Sequence, residues 1–329
     1  MTVAPTPPQD VIDALQRAQS IVIATHSPMD GDGAGSGLAL MRTLRAVGKS
    51  VRFVTEDPVP RAYRFLPGED GIEMLAEEGP PTCDLLVGID AGDGKRLGRA
   101  LAELAEGTSV VNIDHHVSNT RFGDHNWVDA TAAAVGEQVY GLIVGLGLKP
   151  DQDAALCLLV ALMTDTGRFC YSNTTPRTLA IASELVRLGA EPDRITRHLF
   201  ASIPRPVLEM EARAIQALEF RENGRISLLV LPVDFGRDLG VDRDDVKDLV
   251  DLGISVEGVV ATALVFEQSD GRCKVSLRSK DDRADVAAFA AARGGGGHVR
   301  ASGYTSEGGP AVTADTLRRE LPALLSEIP

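Results

Sequence analysis

The sequence predicts an α/β protein of two domains joined by a helical connector. Three observations carry this. The first half alternates short apolar runs with longer helical patterns, as the units of a mainly parallel sheet do. The stretch from about 176 to 220 reads as helix only. After Asn223-Gly224, strand-like runs return, with helices between them and at the end. The 329 residues suffice for two domains of ordinary size. The expected division is 1–185, 186–224 and 225–329, the last a smaller α/β domain.

In chain order, "SIVIAT" (20–25) is a short apolar run that reads as a strand. A glycine-rich turn follows, and then the helical stretch "GLALMRTLRAVG" (37–48). "VRFVT" (51–55), "CDLLVGID" (83–90) and "SVVNID" (109–114) read as further strands. "AAAVGEQVYGLIVGLG" (132–147) and "DAALCLLVALM" (153–163) have helical length and pattern. The connector carries "TPRTLAIASELVRLGA" and "PRPVLEMEARAIQALEF". In the last domain, "RISLLVL" (225–231), "GVVATALVFEQ" (258–268) and "CKVSLRS" (273–279) are strand candidates.

Composition excludes several classes of function. A net charge of −14 argues against a protein that grips long duplex DNA, which takes many Lys and Arg contacts to phosphates. No stretch approaches the roughly 18 apolar residues of a membrane span. "MTVAPTPPQD" has no basic start and no apolar core, so no signal peptide is expected. Cys83, Cys157, Cys170 and Cys273 are scattered without a CxxC pair, which supports neither a zinc knuckle nor a disulfide framework. The expected compartment is the cytosol.

The chemistry gathers at strand ends. "IVIAT" runs into His26, Asp30 and Asp32. "LLVGID" ends at Asp90, and "VVNID" at Asp114-His115-His116. A fourth piece, "MTDTGRF" (163–169), offers Asp165 after a buried helix. Ligands of parallel α/β sheets bind beyond the carboxyl ends of the strands, so these loops should surround one crevice. Any one Asp here has a bland reading as turn former or helix N-cap. The joint pattern is harder to dismiss, because three of only six histidines fall in two of these loops. Carboxylates with imidazoles, and no thiolate, suit Mn²⁺ or a similar divalent ion better than structural zinc. The carboxylates exceed what one ion needs. Two ions about 3.5–4 Å apart would use them, lower the pKa of water from 15.7 toward roughly 7, and clamp the attacking and leaving oxygens. That is the chemistry of phosphoester hydrolysis.

"HSPMDGD", the aspartate of "VGIDAGD", "NIDHH" and "TDTGRF", in this order over residues 26–169, resemble the four motifs of the DHH phosphoesterase family. Members often carry proline immediately before the first aspartate. Here Pro28 precedes Met29, but the His-x₃-Asp-x-Asp spacing is intact. The resemblance implies one metal held by His26, Asp30 and Asp90, and a second held by Asp32, Asp90, His115 and Asp165. Asp90 would be the bridge. It assigns His116 to the substrate phosphate. Asp114 is expected to orient His115, since metal-bound imidazoles usually need such a partner. Mn²⁺ is the expected ion, two per chain, with Mg²⁺ or Co²⁺ as substitutes.

"AARGGGGHVRASG" (291–303) is the other chemical feature. Four glycines after an alanine-rich helix read blandly as a C-cap and hinge. Alternatively they form a backbone nest that approaches a phosphate or base closely. With "VSLRS", the stretch resembles the DHH-associated domain of one family branch. That likeness implies nucleotide binding by Arg278, Gly295, Gly296, Gly297 and His298, with Ser302 immediately beyond; Lys280 and Arg300 are nearby cations. The first domain would cut and the second would hold the far end of a short substrate. This resembles the nano-RNase (oligoribonuclease) type, which also removes phosphate from 3′-phosphoadenosine 5′-phosphate. The implied partners are short RNA oligonucleotides and small nucleotides. Small members are often dimers, and the connector offers a surface for a homodimer. Three alternatives stay open: a cyclic di-AMP phosphodiesterase, a RecJ-like single-strand DNA exonuclease and a non-catalytic nucleotide sensor. A family II inorganic pyrophosphatase shares the first-domain motifs, but the glycine-rich His298 loop argues against it.

Overall fold

Gln9–Arg17 (α1) leads into Ser20–Thr25 (β1), Gly31–Ala46 (α2) and Ser50–Thr55 (β2). Ile72–Met74 (β3), Leu85–Ile89 (β4), the short Arg99–Ala102 (α3), Ser109–Asp114 (β5) and His125–Val128 (β6) follow. Val135–Gly145 (α4), Gln152–Asp165 (α5), Pro176–Arg187 (α6) and Pro192–Leu199 (α7) complete the first unit, Met1–Ser202. This computed structural model describes residues 4–75, 82–241, 246, 249–326 and 328.

The six strands form one parallel sheet in the order β3-β2-β1-β4-β5-β6. Both faces of β1 are covered, which explains its unbroken apolar run. Ile21 and Ile23 face the larger core with α1, α2, α4 and α5. Val22 and Ala24 face a smaller one with Leu97 and Ala100. The strand order reverses between β1 and β4, where α/β sheets open a crevice at their carboxyl ends.

One expectation is corrected here. The glycine-rich segment after β1 is the first half of α2, not a turn. Its glycines are there for packing. A Cβ on Gly35 would lie 2.3 Å from the Cys157 carbonyl oxygen, and one on Gly31 2.4 Å from the Thr164 side chain. α2 therefore lies backbone-close against α5, whose own residues 154–163 are all buried. Strands β3 and β6 add two edges that the sequence reading lacks, since "IEM" and "HNWV" are short and not uniformly apolar.

The second unit, Ile203–Pro329, contains Arg205–Gln216 (α8), Glu219–Arg221 (β7), Ile226–Leu231 (β8), Leu249–Ser255 (α9), Ala261–Glu267 (β9) and Cys273–Ser279 (β10). It ends with Val286–Ala291 (α10), Gly296–His298 (β11), Ala301–Ser306 (β12) and Pro310–Glu320 (α11). Its sheet is mixed, in the order β11-β12-β10-β9-β8-β7, with only β8 and β9 parallel. Period-two alternation divides two cores. Ile226, Leu228, Ala263, Val265, Val275 and Leu277 face one side. Leu229, Leu231 and Leu264 face the other. Among the described residues, no helix is long and apolar enough to cross a membrane.

Candidate metal centre

Each candidate ligand is fixed by the end of an element. His26 follows the last residue of β1 and is buried. Asp30 is the N-cap of α2 and accepts the Gly33 amide at 3.0 Å. The His26 Nε2 lies 3.3 Å from the Asp30 carboxylate and 3.4 Å from that of Asp90. Asp32, the second residue of α2, is fully buried. It accepts the Ser36 hydroxyl at 2.9 Å and the amides of Val135 and Gly136 at 2.5 and 2.9 Å. The same carboxylate thus satisfies two of the free N–H groups that open α4. Asp90 immediately follows β4, with its amide still bonded to the Ile113 carbonyl at 3.0 Å. Its φ is 58°, a left-handed conformation that costs roughly 1–2 kcal/mol outside glycine and is eased for Asp. Asp165 is the last residue of α5.

These ends converge. Three sets of donor atoms each lie within 4.8 Å of one another: His26, Asp30 and Asp90; Asp32, His115 and Asp165; and Asp90, His115 and His116. The Nε2 of His115 is 3.4 Å from Asp165 and 3.7 Å from Asp90. Seven of the eight first-domain residues singled out in the sequence belong to these sets, and the eighth, Asp114, lies 2.7 Å from His116. The buried Oδ1 of Asp90 has no hydrogen-bond partner among the described residues. An unpartnered carboxylate oxygen facing imidazoles, within a crowd of further carboxylates, suits a divalent cation.

The electrostatics agree with that fit. Burial pushes the Asp90 carboxyl well above its usual range, and the charges of Asp30 and Asp32 push it further. Asp165 is raised in the same way, by burial and then by Asp32 and Asp30. Burial raises Asp32 to about 6 against the pull of His115. At Asp30 burial acts upward too, but the hydrogen bond and charge of His26 outweigh it and hold the group at about 2. Burial lowers His115, and the charges of Asp90 and Asp32 more than restore it, for a net rise. Carboxylates that repel one another this strongly gain most from a cation between them.

The role expected of Asp114 needs correction. Its Oδ1 is 2.7 Å from the Nδ1 of His116, not of His115. The Nδ1 of His115 instead meets the Ala132 carbonyl at 3.2 Å. The reason is local geometry. Asp114 also accepts the His116 amide at 3.2 Å, a tight turn that brings residue i+2 back to the carboxylate. Two further residues escaped the sequence reading. Asn119 donates to Asp114 at 2.6 Å and to the buried Asn112 at 2.8 Å, so a half-buried amide braces the carboxylate that holds His116. Asn173 donates to the carbonyls of Asp165 and Ala133, both at 3.1 Å. The polar Asn112 inside an otherwise apolar strand was the available signal for the first of these.

The second-unit candidates lie in a different setting. Gly296–His298 is an edge strand, not a nest. It pairs with β12 so that His298 opposes Ala301, and Ala301 opposes Arg278 of β10. Directly opposed residues share a face, so Arg278 and His298 stand in one row, two strands apart. Gly297 has φ 138°, and a Cβ there would meet the Ala301 carbonyl oxygen at 2.5 Å. Gly295 is similarly tight against the Gly303 carbonyl oxygen, at 2.2 Å. Ser302 belongs to the other face: its hydroxyl donates to the Val286 carbonyl at 2.5 Å. Arg278 contacts Asp251 at 3.2 Å and the Leu277 carbonyl at 3.1 Å. Arg300 is paired with Asp282 at 2.6 Å, and Lys280 bonds the Val256 carbonyl at 2.8 Å.

Comparison with known proteins agrees with both units. Residues 20–163 match the DHH family, N-terminal domain, and residues 225–327 match the DHHA1 domain. A bifunctional oligoribonuclease and PAP phosphatase of Thermus thermophilus is 37% identical over 290 residues, covering 88% of this chain and 84% of that protein. A Bacillus subtilis protein of the same description is 27% identical over 299 residues, covering 89% and 91%. The crystal structure of an exopolyphosphatase-related protein from Bacteroides fragilis superposes with a TM-score of 0.86 at 24% identity, over 97% of this chain and 98% of that one; it bears on the fold. The chain belongs to the DHH phosphoesterase family, in the branch with a C-terminal DHHA1 domain, and is a hydrolase of phosphoester bonds.

Proposed function

We propose that this protein is a cytoplasmic, Mn²⁺-dependent exoribonuclease that hydrolyses short oligoribonucleotides such as pApA to mononucleotides, and that it also removes phosphate from 3′-phosphoadenosine 5′-phosphate. The observation that carries this is the convergence on Asp90 of two donor sets from four different element ends. The description of the Thermus relative supplies the substrate class.

In this reading residues 1–185 cut, 225–329 bind the nucleotide, and 186–224 connect them. His26, Asp30 and Asp90 hold one ion; Asp32, Asp90, His115 and Asp165 hold the other. Mg²⁺ or Co²⁺ would substitute. Such ions, when bound, provide a nucleophile from water at neutral pH and withdraw charge from the phosphate. The remaining roles fall to the chain itself. The Ala132 carbonyl fixes the ring of His115. Asp114, braced by Asn119, holds the Nδ1 of His116 so that its Nε2 faces the phosphate. Arg278, His298 and the backbone of residues 295–297 take the nucleotide, with Ser302 supporting the loop from behind. The exposed Leu208 and Ile215, seven residues apart on α8, support pairing of two copies.

The test is one panel of substrates with Mn²⁺: pApA, a five-residue RNA, a twenty-four-residue RNA, cyclic di-AMP and pyrophosphate. Release of mononucleotide should be fastest from the dinucleotide and fall with length. Preference for the longest RNA or for pyrophosphate would overturn the proposal. A sensor would bind pApA equally well as wild type and as Asp90→Asn, with no turnover in either.

A further inference from the structure

Loop 129–134, between β6 and α4, serves one donor set of the centre. Its Ala132 carbonyl meets the His115 Nδ1 at 3.2 Å. Its Ala133 carbonyl accepts from Asn173, whose amide also donates to the Asp165 carbonyl. The Val135 and Gly136 amides that follow it hold the Asp32 carboxylate. Asp32, His115 and Asp165 are thus all tied to this loop or its immediate continuation. In the other set, His26 contacts Asp30 and Asp90, and Asp30 accepts the Gly33 amide. Arg177, the second residue of α6, reaches both ends of the loop. Its Nε donates to Glu137 of α4 at 2.6 Å, and its guanidinium lies 3.2 Å from the Asp129 carboxylate. Glu137 is fully buried and also accepts the Thr178 hydroxyl at 2.5 Å. Its amide closes on the Ala134 carbonyl at 3.1 Å. Asp129 opens the loop. Its amide donates to the Asp114 carbonyl at 3.0 Å, and its carboxylate accepts the Thr131 amide and hydroxyl at 2.9 and 2.6 Å.

We propose that Arg177 is a positioning residue for the ion held with Asp32, His115 and Asp165: it pins both ends of loop 129–134, so that the loop carbonyls and the first amides of α4 keep those ligands in place. The assignment rests on the two-metal phosphoesterase reading above and makes its two sites unequal, one dependent on this clamp and the other independent of it. Taking Glu137 out of water is costly, and its pairing offsets that cost without much net gain in stability. What the pair adds is geometry. A planar guanidinium can meet two carboxylates at fixed angles, and the groups that orient metal ligands govern affinity strongly.

Titration of metal-free protein with Mn²⁺, with free ion counted by electron paramagnetic resonance, tests this beside turnover of pApA. Wild type should take up two ions. In Arg177→Met one ion should keep its affinity and the other should weaken by about ten- to a hundredfold. The affinity lost should be the one that His115→Ala also loses. The kcat should fall by a similar factor, with KM within about twofold of wild type. Arg177→Lys keeps a charge beside Glu137 and should recover part of both losses. If Arg177→Met fails to fold because Glu137 is left unpaired, Arg177→Met with Glu137→Leu removes both charges and should fold with the same unequal loss. Two wild-type affinities in a folded variant overturn the assignment. So does an equal weakening of both ions, which marks a general loosening, or loss of the affinity that His26→Ala loses. Wild type that binds fewer than two ions also overturns it. Two ions and the unequal loss, in a protein that leaves pApA intact, would instead sink the proposed activity and keep the clamp.

Discussion

The metal centre and the Arg278–His298 row are assembled by opposite means. At the centre, sequence-distant residues meet because parallel strands all point their carboxyl ends the same way. His26, Asp32 and Asp90 are buried; Asp32 is braced by two backbone amides, Asp30 by the Gly33 amide and His115 by the Ala132 carbonyl. In the second unit, antiparallel register across β12 sets Arg278 of β10 and His298 of the edge strand β11 in one row. The first arrangement can hold multivalent cations in fixed geometry. The second leaves an exposed strand edge whose outward backbone groups can adapt to a ligand. A hydrolase needs both kinds of site: a rigid one for the reacting phosphorus and a more tolerant one for the part of the substrate that varies.

The largest expected effect removes the residue the two donor sets share. Asp90→Asn tolerates the left-handed backbone and should lower kcat at least about a thousandfold. The metal-free form should meanwhile melt higher, because one of several crowded carboxylates is gone. Activity retained in this variant would show that Asp90 is not the bridge. Next, His115→Ala should cut manganese content, whereas His116→Ala should keep the metal and lose roughly a hundredfold in kcat; elemental analysis beside kinetics separates them. In the second unit, His298→Ala should raise KM for pApA about tenfold with kcat nearly unchanged. A fall in kcat alone would dissolve the contrast between cutting and holding.

The smallest effect is a pH dependence. Asp32, Asp90, Asp165 and His115 all have raised values in the folded protein. Each favours the fold while protonated, and that contribution is lost as pH rises through the folded value, about 6 for Asp32. Asp30 and Asp114, held low, act in the opposite sense, losing their contribution only below about pH 4. The melting temperature of the metal-free protein should therefore fall by a few degrees between about pH 4 and 7. Saturating Mn²⁺ should reverse the slope, because the ligands bind metal deprotonated.

Much of the first unit was legible because buried parallel strands announce themselves as apolar runs, and their ends carry the chemistry. β1 and β5 fall on the residues read as strands. The start of α2 was not legible, because glycine usually opposes helix; only the proximity of Cys157 and Thr164 explains it. The partner of Asp114 was hidden for a similar reason. Adjacent histidines look equivalent in sequence, and the turn that returns His116 to the carboxylate is a property of backbone angles. In the second unit the glycine stretch was visible but not its shape, since strand pairing with β12 depends on residues that follow it.

Asp32 has a consequence beyond its own chemistry. Its carboxylate is at once a candidate metal ligand and the acceptor for the first two amides of α4. Electron density drawn from the carboxylate by a cation weakens its hold on the Val135 N–H. The amide proton of Val135 is thus a built-in spectroscopic reporter: its chemical shift and exchange rate should register the filling of the centre without any added label.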